Sequence, residues 1–531
     1  MDSIYKQGLH RKQQQFFPPS LDEYVSDDNP VRAMDAYVEL LDMVTLGFTK
    51  ASLGSKEGQP AYHPKLLLKI YLYGYLNKIR SSRKLETEIK RNVEMMWLCA
   101  GLTPSYKTIA DFRKENPKPL RSVFKEFTLL LRELNLITGK VVAIDGAFLR
   151  ANASKNQLLM KKSLQRDIQV LDEKIDHYLE TMSFADKEEK REHTLRALSK
   201  EILPRMAEHK NKLACDLAFL EEKGLTQYNR TDPDAKLMQK PAHNLMAYNA
   251  QIVVDSTYKF IVATEASSKN NDHGKLHKMA QETQALTQQE GMTIIADTGY
   301  HSAKEIHQCN KDGIEAYVAI PNKQAKAKKE GYFIQDDFTY DKEQDYFICP
   351  NKQVLSKSHI FNVKQNGTKH YMYRAGSRVC NACPLRAQCI PTQTAYKKVA
   401  ASEYFQEIQA HKAKMQTPKA KKMMHMRSAL VEHPFGTIKQ TLGWSHYLVR
   451  GLEKVNGENA LIMFTYNFRR LLNLIGVPLF RKLIQALQEG SIEAIKEEIE
   501  AYIACFRAIW TYLLCNRRFY GLSMKSFTYI R

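Results

Sequence analysis

The stretch 141-VVAIDGAFLRANAS-154 opens with four apolar residues and then sets Asp145 directly against Gly146. The apolar run reads as a buried strand. An Asp-Gly pair behind such a run reads most simply as a turn, in which glycine supplies a positive φ. A second stretch repeats the arrangement: in 293-TIIADTGY-300 an apolar run again reaches an acid, Asp297, with Gly299 two places on. Two carboxylates leaving strand ends mark the edge at which open α/β sheets hold ligands. As a pair, these acids become candidate ligands rather than turn residues.

The surroundings fit an α/β core. "YNAQIVVD" (248–255) and "KFIVATEAS" (259–267) are β-branched runs that read as a hairpin. "NNDHGKLHKMAQETQALTQQ" (270–289) reads as a helix, and "EAYVAIPNK" (315–323) supplies a further strand. Residues 30–135 read as all-helical, with Pro64 at the start of "HPKLLLKIYLYGYLNKI", where a first turn tolerates it. One helix ends near Gly101 and a Thr-Pro-Ser turn follows. "YKTIADFRKEN" (106–116) then restarts a helix bearing Lys107, Arg113 and Lys114. That order fits a helix-turn-helix whose second helix enters the major groove, and equally a plain helical hairpin with a solvated basic face.

Between the two acids, Leu164, Ile168, Leu171, Ile175, Tyr178 and Met182 form an a/d seam. A second run, Leu195, Leu198, Ile202, Met206, Leu213, Leu217 and Leu220, follows it. An antiparallel helical hairpin inserted over 157–223 is expected, with Pro204 kinking or interrupting its second arm.

Charge and cysteine content narrow the partner. The 531 residues carry 79 Lys and Arg against 58 Asp and Glu, a formal charge of +21. That excess suits a polyanion, and double-stranded DNA leads. The opening segment has no apolar core of signal-peptide length, and "AYIACFRAIWTYLLC" (501–515) is too short for a span and carries Arg507. A cytoplasmic protein with no membrane partner is expected. Its nine cysteines are then reduced thiols or metal ligands. Cys349, Cys380, Cys383 and Cys389, in "FICPNK" and "VCNACPLRAQC", suit either one structural Zn2+ or ordinary reduced thiols.

Phosphodiester chemistry on hard divalent cations needs a third acid, and "RSALVEHPFGTIKQTLGW" (427–444) offers Glu432. Arg427 lies five places before it and Lys439 seven after, about two helical turns, although Pro434 and Gly436 make that helix irregular. The run 408–431 holds six Lys or Arg and no acid, a candidate grip on phosphates. His301 and His273 read as structural histidines that could lie near the acids.

From Phe16 to Gly476 the chain resembles the DDE transposases of bacterial insertion sequences. The resemblance rests on "AYHPKLLLKIYLYGYL" (61–76), "IDGAFLRANASK" (144–155), "TDPDAKLM" (231–238), "YNAQIVVD", "IADTGYHS" (295–302) and "VEHPFGTIK" (431–439). It implies an RNase H-like mixed sheet with flanking helices behind an N-terminal all-helical DNA-binding domain. The corresponding division is 1–135, then 136–476 with a helical-hairpin insert (157–223) and a cysteine-bearing insert (340–395), then a helical tail 477–531 without a readable motif. Asp145, Asp297 and Glu432 are the implied catalytic triad, holding two Mg2+ ions for which Mn2+ can substitute. Arg427 and Lys439 approximate the family's tyrosine-arginine-glutamate-lysine signature, though no Tyr precedes Arg427 at short range. With Lys107, Arg113 and Lys114 they are the expected DNA contacts. The implied activity is cleavage at element ends and strand transfer to target DNA, by a homo-oligomer assembled on those ends in a bacterial nucleoid. A nuclease on the same fold without strand transfer, and a silent DNA-binding domesticated copy, are the rival readings.

Overall fold

The computed structural model describes residues 20–49, 60–185, 202–239, 244–322, 325–362 and 368–515. By contact the chain gathers into two compact units. One comprises Met1–Phe127, Arg150–Ala235 and Thr437–Arg531, and the other Thr128–Leu149 and Lys236–Gly436.

Asp145 and Gly146 do not make a turn. Val141–Arg150 is one continuous strand, β1, and Gly146 is absent from the positive-φ glycines. Asp145 therefore lies inside its strand, whereas Asp297 follows the last residue of its own. The strands β2 (Leu158–Met160) and β3 (Gln227–Asn229) pair antiparallel, and helices Lys161–Ala185 and Leu203–Glu222 rise from them and pack together. Pro204 stands in the first turn of the described helix Leu203–Glu222, where its missing N–H costs nothing. Leu195 and Leu198 lie outside the described residues.

The sheet unit is mixed α/β. Strands β4 (Lys236–Gln239), β5 (Asn244–Asp255), β6 (Ile261–Ser267), β7 (Thr293–Ala296) and β8 (Glu315–Val318) join β1 in the order β4-β5-β1-β7-β8, with β6 also on β5. The β5–β6 pair is antiparallel, as the hairpin reading requires, and β1, β7 and β8 run parallel. Alternation decides the core face. Val142 and Ile144 of β1, with Ile294 and Ala296 of β7, pack against Leu276 and Met279 of helix Leu276–Thr287 and Ile306 of helix Ala303–Lys311. Asp145 shares the opposite parity.

The cysteine-bearing region folds as a second sheet, which its sequence did not announce. Strands β9 (Thr339–Asp341), β10 (Tyr346–Ile348), β11 (Val354–Asn362), β12 (Lys369–Arg374) and β13 (Lys398–Ser402) form an antiparallel sheet in reverse order. Phe347, Leu355, Tyr373 and Val399 make its own small core.

The other unit is mainly helical, from Pro30–Leu40 through Tyr106–Glu115, with Leu452–Glu489 and Ile492–Cys515 later in the chain. Asn29, His63 and Ser105 each cap a helix with a side-chain acceptor. Tyr37 and Phe127 pack on Phe464, at 5.5 and 4.8 Å between ring centroids. Gly457 lets that helix approach closely: a Cβ there would stand 2.6 Å from Pro117 Cα. The long helix breaks at Gly476 (φ +75), just before Pro478. Among the described residues no helix is long and apolar enough to cross a membrane.

Candidate active site

Strands β1 and β7 pair in the register Val141↔Thr293, Val142↔Ile294 and Ala143↔Ile295. Asp145 follows two residues after the last of these pairs within β1 and Asp297 lies just past the end of β7, near enough for its charge to act on Asp145. Asp297 caps the short turn Thr298–Tyr300, its Oδ1 accepting the Gly299 N–H at 2.8 Å. Asp145 Oδ1 accepts the Gly146 N–H at 2.8 Å. Arg427, on helix Pro418–Gly436, places Nη1 3.5 Å from Asp145 Oδ2, and that buried nitrogen makes no hydrogen bond. Burial pushes the Asp145 carboxyl up to about 6. Asp297 and Asp272 add to the rise, while the Gly146 N–H and Arg427 oppose it.

Asp272 is the acid that sequence reading passed over. Its Oδ1 accepts from Asn249 Nδ2 (2.8 Å) and Gln251 Nε2 (2.7 Å), both on β5. Gln251 Oε1 in turn accepts the hydroxyl of the fully buried Tyr300. One signal was available: Asp272-His-Gly274 repeats the Asp-x-Gly spacing of Asp297-Thr-Gly299. Three carboxylates and one guanidinium thus share this corner, a set of hard oxygens suited to a divalent cation. As they stand, no three His, Cys, Asp or Glu among the described residues close on a single ion.

The remaining expected residues distribute unevenly. Glu432 is exposed on helix Pro418–Gly436 and makes no hydrogen bond or ion pair. Lys439 falls in the other unit, in the π-turn Thr437–Thr441. Lys107 and Lys114 are exposed on helix Tyr106–Glu115, seven places apart and so on one face. Arg113 is a correction: it is turned inward, with Nη1 3.2 Å from Glu458 Oε1 and 3.0 Å from Tyr75 Oη, and does not present itself to a phosphate. The basic run is also partly occupied. Lys412 pairs with Asp336, Lys419 with Glu315, and Lys414 donates to the Ala316 carbonyl, while Lys421 and Lys422 remain exposed. His273 is exposed, and His301 lies 6.2 Å from the buried His411 ring.

Cys349, Cys380, Cys383 and Cys389 line one small cavity of about 30 Å3. The Gln353 N–H donates to Cys349 Sγ at 3.3 Å, and Lys397 Nζ donates to the Cys389 carbonyl at 3.1 Å. Burial raises the Cys389 thiol, with Lys397 opposing and the three other cysteines adding.

Two family models match the chain: a transposase domain (DUF772) over residues 19–115 and a transposase DDE domain over residues 348–472. No curated protein matches. A cryo-EM structure of the piggyBac transposase synaptic complex with hairpin DNA is similar at 8% identity, over 90% of this chain and 85% of that one. The TM-score is 0.32. The two matched segments cover the first helices, strands β11 to β13 of the second sheet and Glu432, and over them the chain is similar to DDE transposases.

Proposed function

We propose that Asp145 and Asp297, completed by Glu432, form the catalytic centre at which this transposase cuts element ends and joins them to target DNA. Enzymes of this family cleave and transfer DNA strands with a divalent metal. The observation that supports the assignment is the parallel β1–β7 pairing just ahead of both aspartates, together with the like-charge influence of Asp297 on Asp145. An antiparallel β5–β6 pair beside a parallel β1–β7–β8 run supports the RNase H-like reading of this core. Glu432, exposed and unpaired, lies within the matched DDE segment and is free to turn to a ligand. Two Mg2+ ions held by these acids, with Mn2+ able to substitute, supply charge stabilisation for the attacking and leaving oxygens. The unbonded Arg427 Nη1 beside Asp145 is a donor suited to a phosphate oxygen. Exposed Lys107, Lys114, Lys421 and Lys422 suit backbone phosphates of the terminal repeats and target, contacts that position a duplex without reading it. The acting form is a homo-oligomer on paired ends, in the bacterial nucleoid. A pre-cut element end with a free 3′-hydroxyl tests the reading: the parent joins it to a target duplex, and Asp145→Asn, Asp297→Asn and Glu432→Gln do not. Cutting without joining favours the nuclease reading.

The second sheet, on this reading, carries one structural Zn2+. The four thiols share one cavity, and an amide already donates to Cys349 Sγ, a bond that stabilises a thiolate. Metal analysis of protein purified without chelator is expected to find about one zinc per chain, lost in the Cys380→Ser/Cys383→Ser protein. Zinc-free parent protein returns the cysteines to ordinary thiols.

A further inference from the structure

The loop between β6 and helix Leu276–Thr287 brings Asp272 against the backbone of both aspartate-bearing segments. A Cβ on Gly146, the residue after Asp145, would stand 2.8 Å from Asp272 Oδ1. One on Gly299, two residues after Asp297, would stand 2.9 Å from Asp272 Oδ2 and 3.1 Å from Asp297 Oδ1. Both glycines are therefore needed for the carboxylate to seat between the two segments. Its Oδ1 is fixed by the amides of Asn249 and Gln251, and its Oδ2 accepts no hydrogen bond. Asn249 is 1% exposed, and its own Oδ1 has no partner. That orphaned acceptor lies 2.9 Å from the same Gly146 Cβ point. A buried acceptor left without a donor is costly unless a ligand meets it. Charge points the same way: Asp145, Asp272 and Asp297 together have one cation among their hydrogen bonds and ion pairs, Arg427.

We propose that Asp272 is a fourth acid of the catalytic centre, a positioning residue that sets the charge and the backbone geometry in which Asp145 and Asp297 hold a divalent cation. The proposal rests on the active-site reading above, and its test separates the two. Asp272→Asn is the informative variant. An asparagine Oδ1 still accepts from Asn249 and Gln251, so a purely structural clamp survives, while the charge is gone. Mn2+ binding to the full-length chain, followed by electron paramagnetic resonance, is expected to weaken roughly 10- to 100-fold with the melting temperature unchanged. The exchange variant Asn249→Asp/Asp272→Asn returns a carboxylate to the same cradle and is expected to recover most of that affinity. Parent-like Mn2+ binding in Asp272→Asn, with binding lost in Asp145→Asn and Asp297→Asn, overturns the role of Asp272 and leaves the site standing. Parent-like binding in all three overturns both. An Asp272→Asn protein that melts early, with no recovery of Mn2+ binding in the exchange variant, reduces Asp272 to a structural clamp and also overturns the proposal.

Discussion

Glu458, buried in the helical unit, and Asp145, half-buried in the sheet unit, are treated oppositely by their surroundings. Glu458 is fully buried, and each of its oxygens is answered. Oε1 takes the Tyr75 hydroxyl at 3.0 Å and Arg113 at 3.2 Å, and Oε2 takes the backbone N–H groups of Leu448 at 2.8 Å and Val449 at 3.1 Å. Asp145 instead shares its corner with Asp297 and Asp272, and its one cationic neighbour stands at 3.5 Å without a hydrogen bond. A buried acid whose partners are complete holds a fold together. One crowded by like charge is held against its own electrostatics and awaits a cation.

The largest expected effect breaks the comparison on its functional side. Asp145→Asn or Asp297→Asn is expected to slow strand cleavage by roughly a thousandfold or more, the scale of losing a transition-state charge stabiliser. Gel assays on a labelled element end measure this. In chelator, Asp145→Asn is expected to melt no lower than the parent, because it relieves like-charge repulsion and keeps an acceptor for Gly146 N–H. A clearly lower melting temperature places Asp145 with Glu458 as a structural acid.

Next in size is the structural side. Arg113→Ala leaves Glu458 buried without its cation and is expected to cost about 3–5 kcal/mol in urea unfolding, with Glu458→Ala similar. Stability within experimental error of the parent shows that the pair is dispensable and dissolves the contrast. Gly457→Ala probes the helix approach beneath that pair. Its Cβ would press on Pro117 Cα at 2.6 Å, and the overpacking is expected to cost about 1–3 kcal/mol.

The smallest effect sharpens the comparison on one helix. Lys107→Ala and Lys114→Ala, on the exposed face beside inward-facing Arg113, are expected to change stability by less than about 0.5 kcal/mol. Each is expected to lower the slope of log affinity against log salt by about one in DNA-binding titrations. An unchanged slope removes this helix from the DNA surface.

Much of the sheet was legible because its signals are local. The β5–β6 hairpin and the apolar runs of β1 and β7 follow from alternation and β-branched content within a few residues. The second sheet was not, since β9 and β10 are three residues each, too short for alternation to show, and β9 is Thr-Tyr-Asp. The continuation of β1 through Asp145 and Gly146 was not legible either, because Asp-Gly behind an apolar run also reads as the end of a strand. Gly146 is needed for a different reason, the approach of Gln251 and Asp272.

The amino-acid sequence by itself determined which acids reach the ends of apolar runs, Asp145 and Asp297, and that the chain carries the charge to meet DNA. Both follow from composition and short-range spacing. Only the tertiary structure decided which charges meet. Arg113 sits on a helix whose pattern offers it to solvent, yet its partner Glu458 lies 345 residues away. Asp272 joins the acids through amides on a strand more than 20 residues back. Burial and pairing over such separations are set by how elements pack, and a single carboxylate or guanidinium carries no local mark of the partner that packing will bring to it.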